Sequence, residues 1–154
     1  LDKVVYQLPC PMSEFEKNGW ALTKHISVMA GRNEYGYMEK KGVKVNIGLS
    51  NYADIQMDGR NCAVSQIEVD NNSDSASTPE VVMPKNITFK STLQQLNTAV
   101  QTSSLKFAEN KANDNSYVSY NCDDYDLGIH VKFFFDNEKG KIVNISLKKD
   151  QWSN

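Results

Sequence analysis

The chain has 154 residues, 17 Lys plus Arg against 19 Asp plus Glu, a net charge of −2 and 40% hydrophobic residues. That balance argues against a nucleic-acid binder, which normally carries a basic patch or stripe. No stretch approaches the roughly 20 apolar residues of a membrane-spanning helix, and the length fits one ordinary domain or two very small ones.

The chain begins at Leu1 rather than Met. A processed precursor or a trimmed fragment would both start that way, so any signal peptide is expected to be gone already. Leu8-Pro9 leads into Ser13-Glu14-Phe15-Glu16, an S-x-x-E capping-box pattern that predicts a short helix. Asn18-Gly19 suits its left-handed end. Trp20 to Leu22 and Tyr35 to Met38 read as weak strands. Val43 to Leu49 reads as a strong one, with apolar residues at every second position, the pattern of a strand with one buried face. A long connection, Asn51 to Asn61, precedes the strand Val64 to Val69. Residues 71–80 form a polar linker with no apolar side chain larger than Ala until Val81.

The second part follows the same order. Met83-Pro84 precedes Ser91-Thr92-Leu93-Gln94, a second capping-box pattern, and Leu93, Leu96 and Val100 recur at helical spacing. Leu105 to Phe107 and Tyr117 to Tyr120 read as weak strands. Ile129 to Phe135 alternates as Val43 to Leu49 does, and a tight turn at Asp136 to Gly140 leads to Ile142 to Leu147. The expected fold class is therefore α+β. Two tandem helix-plus-antiparallel-sheet repeats, residues 1–70 and 81–154, would share an extended sheet, because neither buries much alone.

Particular residues carry a family resemblance. Asn86-Ile87-Thr88-Phe89-Lys90-Ser91-Thr92-Leu93 opens the second helix, Phe133-Phe134-Phe135-Asp136 precedes the last turn, and Gly140-Lys141-Ile142-Val143-Asn144-Ile145 follows it. The chain resembles uncharacterised lipoproteins of Gram-positive bacteria whose repeats are similar to the β-lactamase inhibitor protein and to the BamE (SmpA/OmlA) envelope module. The resemblance implies an extracytoplasmic location and a lipid-bearing Cys upstream of Leu1. It does not imply inhibitor activity, since one module serves unrelated roles.

The cysteines are Cys10, Cys62 and Cys122. None forms a C-x-x-C pair, so zinc is not expected. Cys10 with Cys62 is the candidate disulfide, and three reduced thiols are the alternative. No phosphate loop, nucleophile elbow or H-E-x-x-H motif occurs, so neither a cofactor nor catalysis is expected. A Cys122–His130 nucleophile pair is the remaining enzymatic reading. Asp123, Asp124 and Asp126 read as a solvated turn, lacking the ligand spacing of a calcium loop. The outer sheet face is more informative. Lys44, Asn46, His130, Lys132 and Phe134 fall on the polar phase of their strands, with Tyr37 and Tyr120 on neighbouring ones. Aromatic residues among polar ones suit a protein-binding surface. The expected partner is a protein or cell-wall component, with the membrane reached only through the lipid. An inhibitor using the 51–61 loop is the rival.

Overall fold

The computed structural model describes residues 1–71 and 78–150. Most of the expected linker, residues 72–77, and the end of the expected second repeat, residues 151–154, lie outside the described residues. In chain order the elements are β1 (Cys10–Pro11), α1 (Met12–Lys17), β2 (Ala21–Leu22), β3 (Ser27–Val28), β4 (Asn33–Lys40), β5 (Val43–Ser50), β6 (Met57–Asp58), β7 (Ala63–Asp70), α2 (Leu93–Gln101), β8 (Ala108–Lys111), β9 (Tyr117–Asp124), β10 (Ile129–Asp136) and β11 (Lys141–Lys149).

The class is α+β. Among the described residues, nine strands form one antiparallel sheet in the order β2-β4-β5-β7-β11-β10-β9-β8, with β1 on the end of β7, while β3 and β6 form a separate pair. The centre of the sheet joins the two parts of the chain: Val69 faces Ile145 and Ile67 faces Leu147. Local chemistry sets the turns. Lys41 and Gly42, both at positive φ, make the two-residue turn between β4 and β5, as the right-handed strand twist favours. Asp136 accepts from the Lys139 amide at 2.9 Å and Gly140 sits at φ +63, giving the expected β10–β11 hairpin.

One extra residue interrupts the β5–β7 pairing and another the β10–β11 pairing. On β7 the shift falls opposite Gly48 and Leu49, and on β11 opposite Phe134 and Phe135. The extra residues are Ser65 and Val143, and each bulge bends its strand.

Period two places Val45, Ile47, Val131, Phe133 and Phe135 on the helix side, where all are buried. Met12 and Phe15 of α1 are fully buried against the first part of that face, and Tyr6 stacks on Phe15 at 4.0 Å. From α2 only Leu96 is fully buried.

The two capping patterns have different outcomes. In α2 the box forms one residue later than expected: the Thr92 hydroxyl accepts from the Gln95 amide, and the Gln95 side chain accepts from the Thr92 amide at 2.8 Å. Ser91 instead closes the preceding turn, accepting from the Thr88 amide. In α1 no side chain caps the start, which lies at Pro11. The helix follows directly from β1, and the Met12 amide donates to the Cys62 carbonyl at 3.0 Å. The neighbouring strand thus satisfies a donor that a cap would otherwise serve. Leu105 to Phe107 is not a strand; pairing begins at Ala108.

Candidate functional site

Cross-strand register puts the side chains of the outer face in rows. One row runs Tyr37, Asn46, Glu68, Ser146, Lys132 and Asn121 across six strands. The next runs Tyr35, Gly48, Gln66, Lys148, His130 and Asp123. Lys44 lies on this face beside Glu39, with 3.9 Å between their charged atoms. Of the expected surface residues, Lys44, Asn46, His130, Lys132, Phe134 and Tyr37 therefore share one face.

Tyr120 does not. It is buried on the helix side, opposite Phe133. Its hydroxyl contacts the Asn97 side-chain oxygen on α2 and donates to Glu109 Oε1 at 3.1 Å. Burial first, and then the Glu109 carboxylate, pushes its pKa up to about 12. The spacing shows only that the pair splits: Tyr117 and Tyr120 are three apart, so in a strand they point to opposite faces. Tyr117 is the outward one, stacked on Phe134 at 4.7 Å. That stack explains how a large aromatic sits half-buried on an otherwise polar face.

Tyr35 and Tyr37 are 64% and 50% exposed, so at this end of the face two aromatic rings meet solvent. Gly48 lets the Tyr35 ring lie close to the sheet. A Cβ there would come 3.0 Å from the Gln66 Cβ and 3.4 Å from the ring. A depression of about 320 Å3 runs between the two tyrosines, Asn46, Gln66 and Glu68. Toward the centre, Asn144 Nδ2 donates to Glu68 Oε1 at 2.9 Å and to Asp70 Oδ1 at 2.7 Å. At the far end His130 is gripped on both ring nitrogens, by Asp123 at 2.8 Å and Asp150 at 3.2 Å. Lys148 pairs with the same Asp150 at 3.0 Å. The face thus offers aromatic rings at two corners with amides and paired charges between them, which supplies stacking and hydrogen bonding without one dominant charge.

The enzymatic pair is not assembled. Cys122 is opposite Val131 on the helix side, whereas His130 is opposite Asp123 on the outer side. The sheet stands between them. Burial, followed by Asp124 and Asp123, pushes the Cys122 thiol up, away from the reactive thiolate. Asp124 accepts from the Leu127 amide at 2.9 Å, an ordinary turn contact. No group of three or more metal-ligating side chains occurs among the described residues.

Cys10 and Cys62 are unbridged, as is Cys122. Cys10 is opposite Val64, which puts Cys62 on the diagonal of the same face. Diagonal neighbours in an antiparallel pair lie about 7–8 Å apart, beyond the roughly 4.4–6.8 Å Cα separation usual for a disulfide. Burial raises both thiols.

No family model, curated protein or solved structure gives a significant match to this chain.

Proposed function

We propose that this chain is a non-catalytic binding or scaffolding module that works outside the cytoplasm and captures a protein or cell-wall component on its outer sheet face. The observation that carries this reading is the exposed Tyr35–Tyr37 pair beside Asn46, Gln66 and Glu68. Aromatic residues are enriched in the centres of protein interfaces because they bury large area with little loss of side-chain entropy. A lipid on a segment upstream of Leu1 would tether the module, as the resemblance implies. A lipid-attachment Cys in the precursor sequence is the test of that tether.

Two tandem copies of one unit are the architecture we infer beneath this. Strand order outward from the centre is β7-β5-β4-β2 on one side and β11-β10-β9-β8 on the other. Setting Ile67 on Ile145 and Val69 on Leu147 also sets Ser65 on Val143, the two bulged residues. The central pairs then exchange, Ile67–Leu147 with Ile145–Val69, about the Glu68–Ser146 pair. These coincidences support a twofold relation between the copies.

The binding reading is tested by a photo-crosslinking side chain at Tyr37, with exposed Gln101 on the helix side as control. Tyr37 should yield a discrete adduct in a cell-envelope fraction and Gln101 none, and Tyr35→Ser with Phe134→Ser should remove the adduct while the protein stays folded. Equal adducts from both positions would sink the outer face as the binding site.

A second reading is favoured by the 51–61 loop. Tyr52 and Ile55 are exposed there, while Asn51 pins the loop base through its side chain. Exposed apolar side chains on a fixed loop suit an inhibitor of a secreted enzyme. Inhibition lost in Tyr52→Ala with Ile55→Ala, but kept in Tyr35→Ser, would select it.

A further inference from the structure

The helix side of the sheet is sealed unequally. In the first part of the chain Met12 and Phe15 are wholly buried under α1. Under α2 the packing stops short. Val100, Leu105, Phe107, Ile129 and Leu147 are only half-buried, and they line a crevice of about 230 Å3 whose floor is Val131 and Phe133. A second, mostly apolar groove, about 490 Å3, continues from it past Met83, Pro84 and Leu147 toward Val81 and Leu8, with Lys3 and Glu80 also in its lining. Protein interiors are close-packed, and voids larger than a water molecule are few. An apolar hollow of this size is therefore a feature to explain.

Its chemistry is one-sided. Of the residues lining the crevice, Lys85 alone is charged, and Ser103 is the one other polar side chain. Lys85 is exposed and enters no hydrogen bond or ion pair among the described residues. Lys85 and Asn86 both hold the left-handed backbone conformation, at φ +63 and +59, which non-glycine residues seldom adopt. An unneutralised cation thus stands at the edge of an apolar hollow.

We propose that this crevice binds the hydrocarbon chain of a medium-chain carboxylate, with the carboxylate held at Lys85. Size and charge both point there. An apolar cavity of about 150 Å3 holds benzene, roughly 25 Å3 per carbon, and at that ratio the crevice takes about nine carbons. The adjoining groove accommodates any excess length. The apolar walls supply the driving force for the chain, and a carboxylate gives Lys85 the partner that the fold does not. The site lies on the opposite side of the sheet from Tyr35 and Tyr37, so it is independent of the outer-face reading.

Titration calorimetry with decanoate and decyltrimethylammonium below their micelle concentrations, and with decanol below its solubility limit, tests the proposal. Decanoate should bind saturably, decanol more weakly, and the cationic chain weakest. Lys85→Glu changes an exposed residue and should weaken decanoate about two- to fivefold while sparing decanol. Val100→Trp fills the hollow and should reduce decanoate binding at least about tenfold. Because Val100→Trp can also disturb α2, amide shift mapping of the unaltered protein gives a second readout: perturbation should centre on Val100, Ile129 and Phe133. Absence of saturable binding, unchanged decanoate affinity in Lys85→Glu, or perturbation centred on Tyr35 and Tyr37 would each overturn it. Tyr35→Ser should leave decanoate binding unchanged even if it abolishes partner capture.

Discussion

Asn51 shows how much one polar side chain can hold. It is buried, and its Nδ2 donates to the Val28 carbonyl at 2.9 Å and the Ile55 carbonyl at 2.7 Å, while its Oδ1 accepts from the Ala53 amide at 2.9 Å. Its own amide donates to the Arg32 carbonyl. One residue therefore ties the 51–61 loop to β3 and to the segment before β4. Asn51→Ala leaves the buried Val28 carbonyl and two partly buried loop groups without their partner, each buried orphan costing about 1–3 kcal/mol, so the unfolding free energy should fall by about 2–4 kcal/mol, seen as a lower urea midpoint at an unchanged slope. Tyr120 gives a prediction with a sign. Burial and Glu109 push its folded pKa up to about 12, above the ordinary value of about 10 for an unfolded tyrosine. The stability tied to this shift is full below the unfolded value and is lost as pH rises through the folded one. Urea midpoints of the natural protein should therefore fall more steeply between pH 10 and 12 than those of Tyr120→Phe. Parallel curves would mean that the hydroxyl is not held neutral by burial and Glu109.

At the scale of elements, one sequence signature leads to two structures. Both helices begin with an S/T-x-x-E/Q pattern, but only α2 uses it. α2 follows a turn, and the Thr92 and Gln95 side chains each accept from the other's amide. α1 follows β1, and the carbonyl of Cys62 on the β7 side serves Met12. Thr92→Ala should cost about 1 kcal/mol, whereas Ser13→Ala, at an exposed position in a helix with no side-chain cap, should stay within about 0.5 kcal/mol. Thermal melts of the two variants measure the contrast. Strands were more legible than helix starts. Val43 to Leu49 and Ile129 to Phe135 alternate cleanly, and period two follows from backbone geometry alone. β8 is not legible in the sequence because Ala108–Lys111 is exposed throughout and carries no apolar phase to read. β3 and β6 have two residues each, too few for any periodicity.

The whole molecule is held together at the β7–β11 seam. Ile145 and Val69 face each other there and both are almost wholly buried. Because the seam is internal to one sheet, both parts of the chain should unfold together. Cys62 and Cys122 are buried, one on each side, and report this directly: both thiols should become reactive over the same range of urea. Ile145→Ala, a core truncation at about 2–5 kcal/mol, should move the two labelling curves by the same amount. Curves that separate would show that the parts fold independently.

The alternation of apolar and polar residues by itself determined the mixed class, the strands Val43 to Leu49 and Ile129 to Phe135, and which of their side chains face inward. Those follow from local geometry, which each short stretch of chain carries within it. Only the tertiary structure decided which strands meet, that Tyr120 belongs to the core while Tyr35 meets solvent, and that the sheet separates Cys122 from His130. It also decided that Phe134 has a partner in Tyr117, and that α2 leaves a hollow beside Lys85. These depend on contacts between residues far apart in the chain and on how completely side chains fill the space between layers. No local pattern encodes either, because register and packing arise only when the whole sheet is assembled.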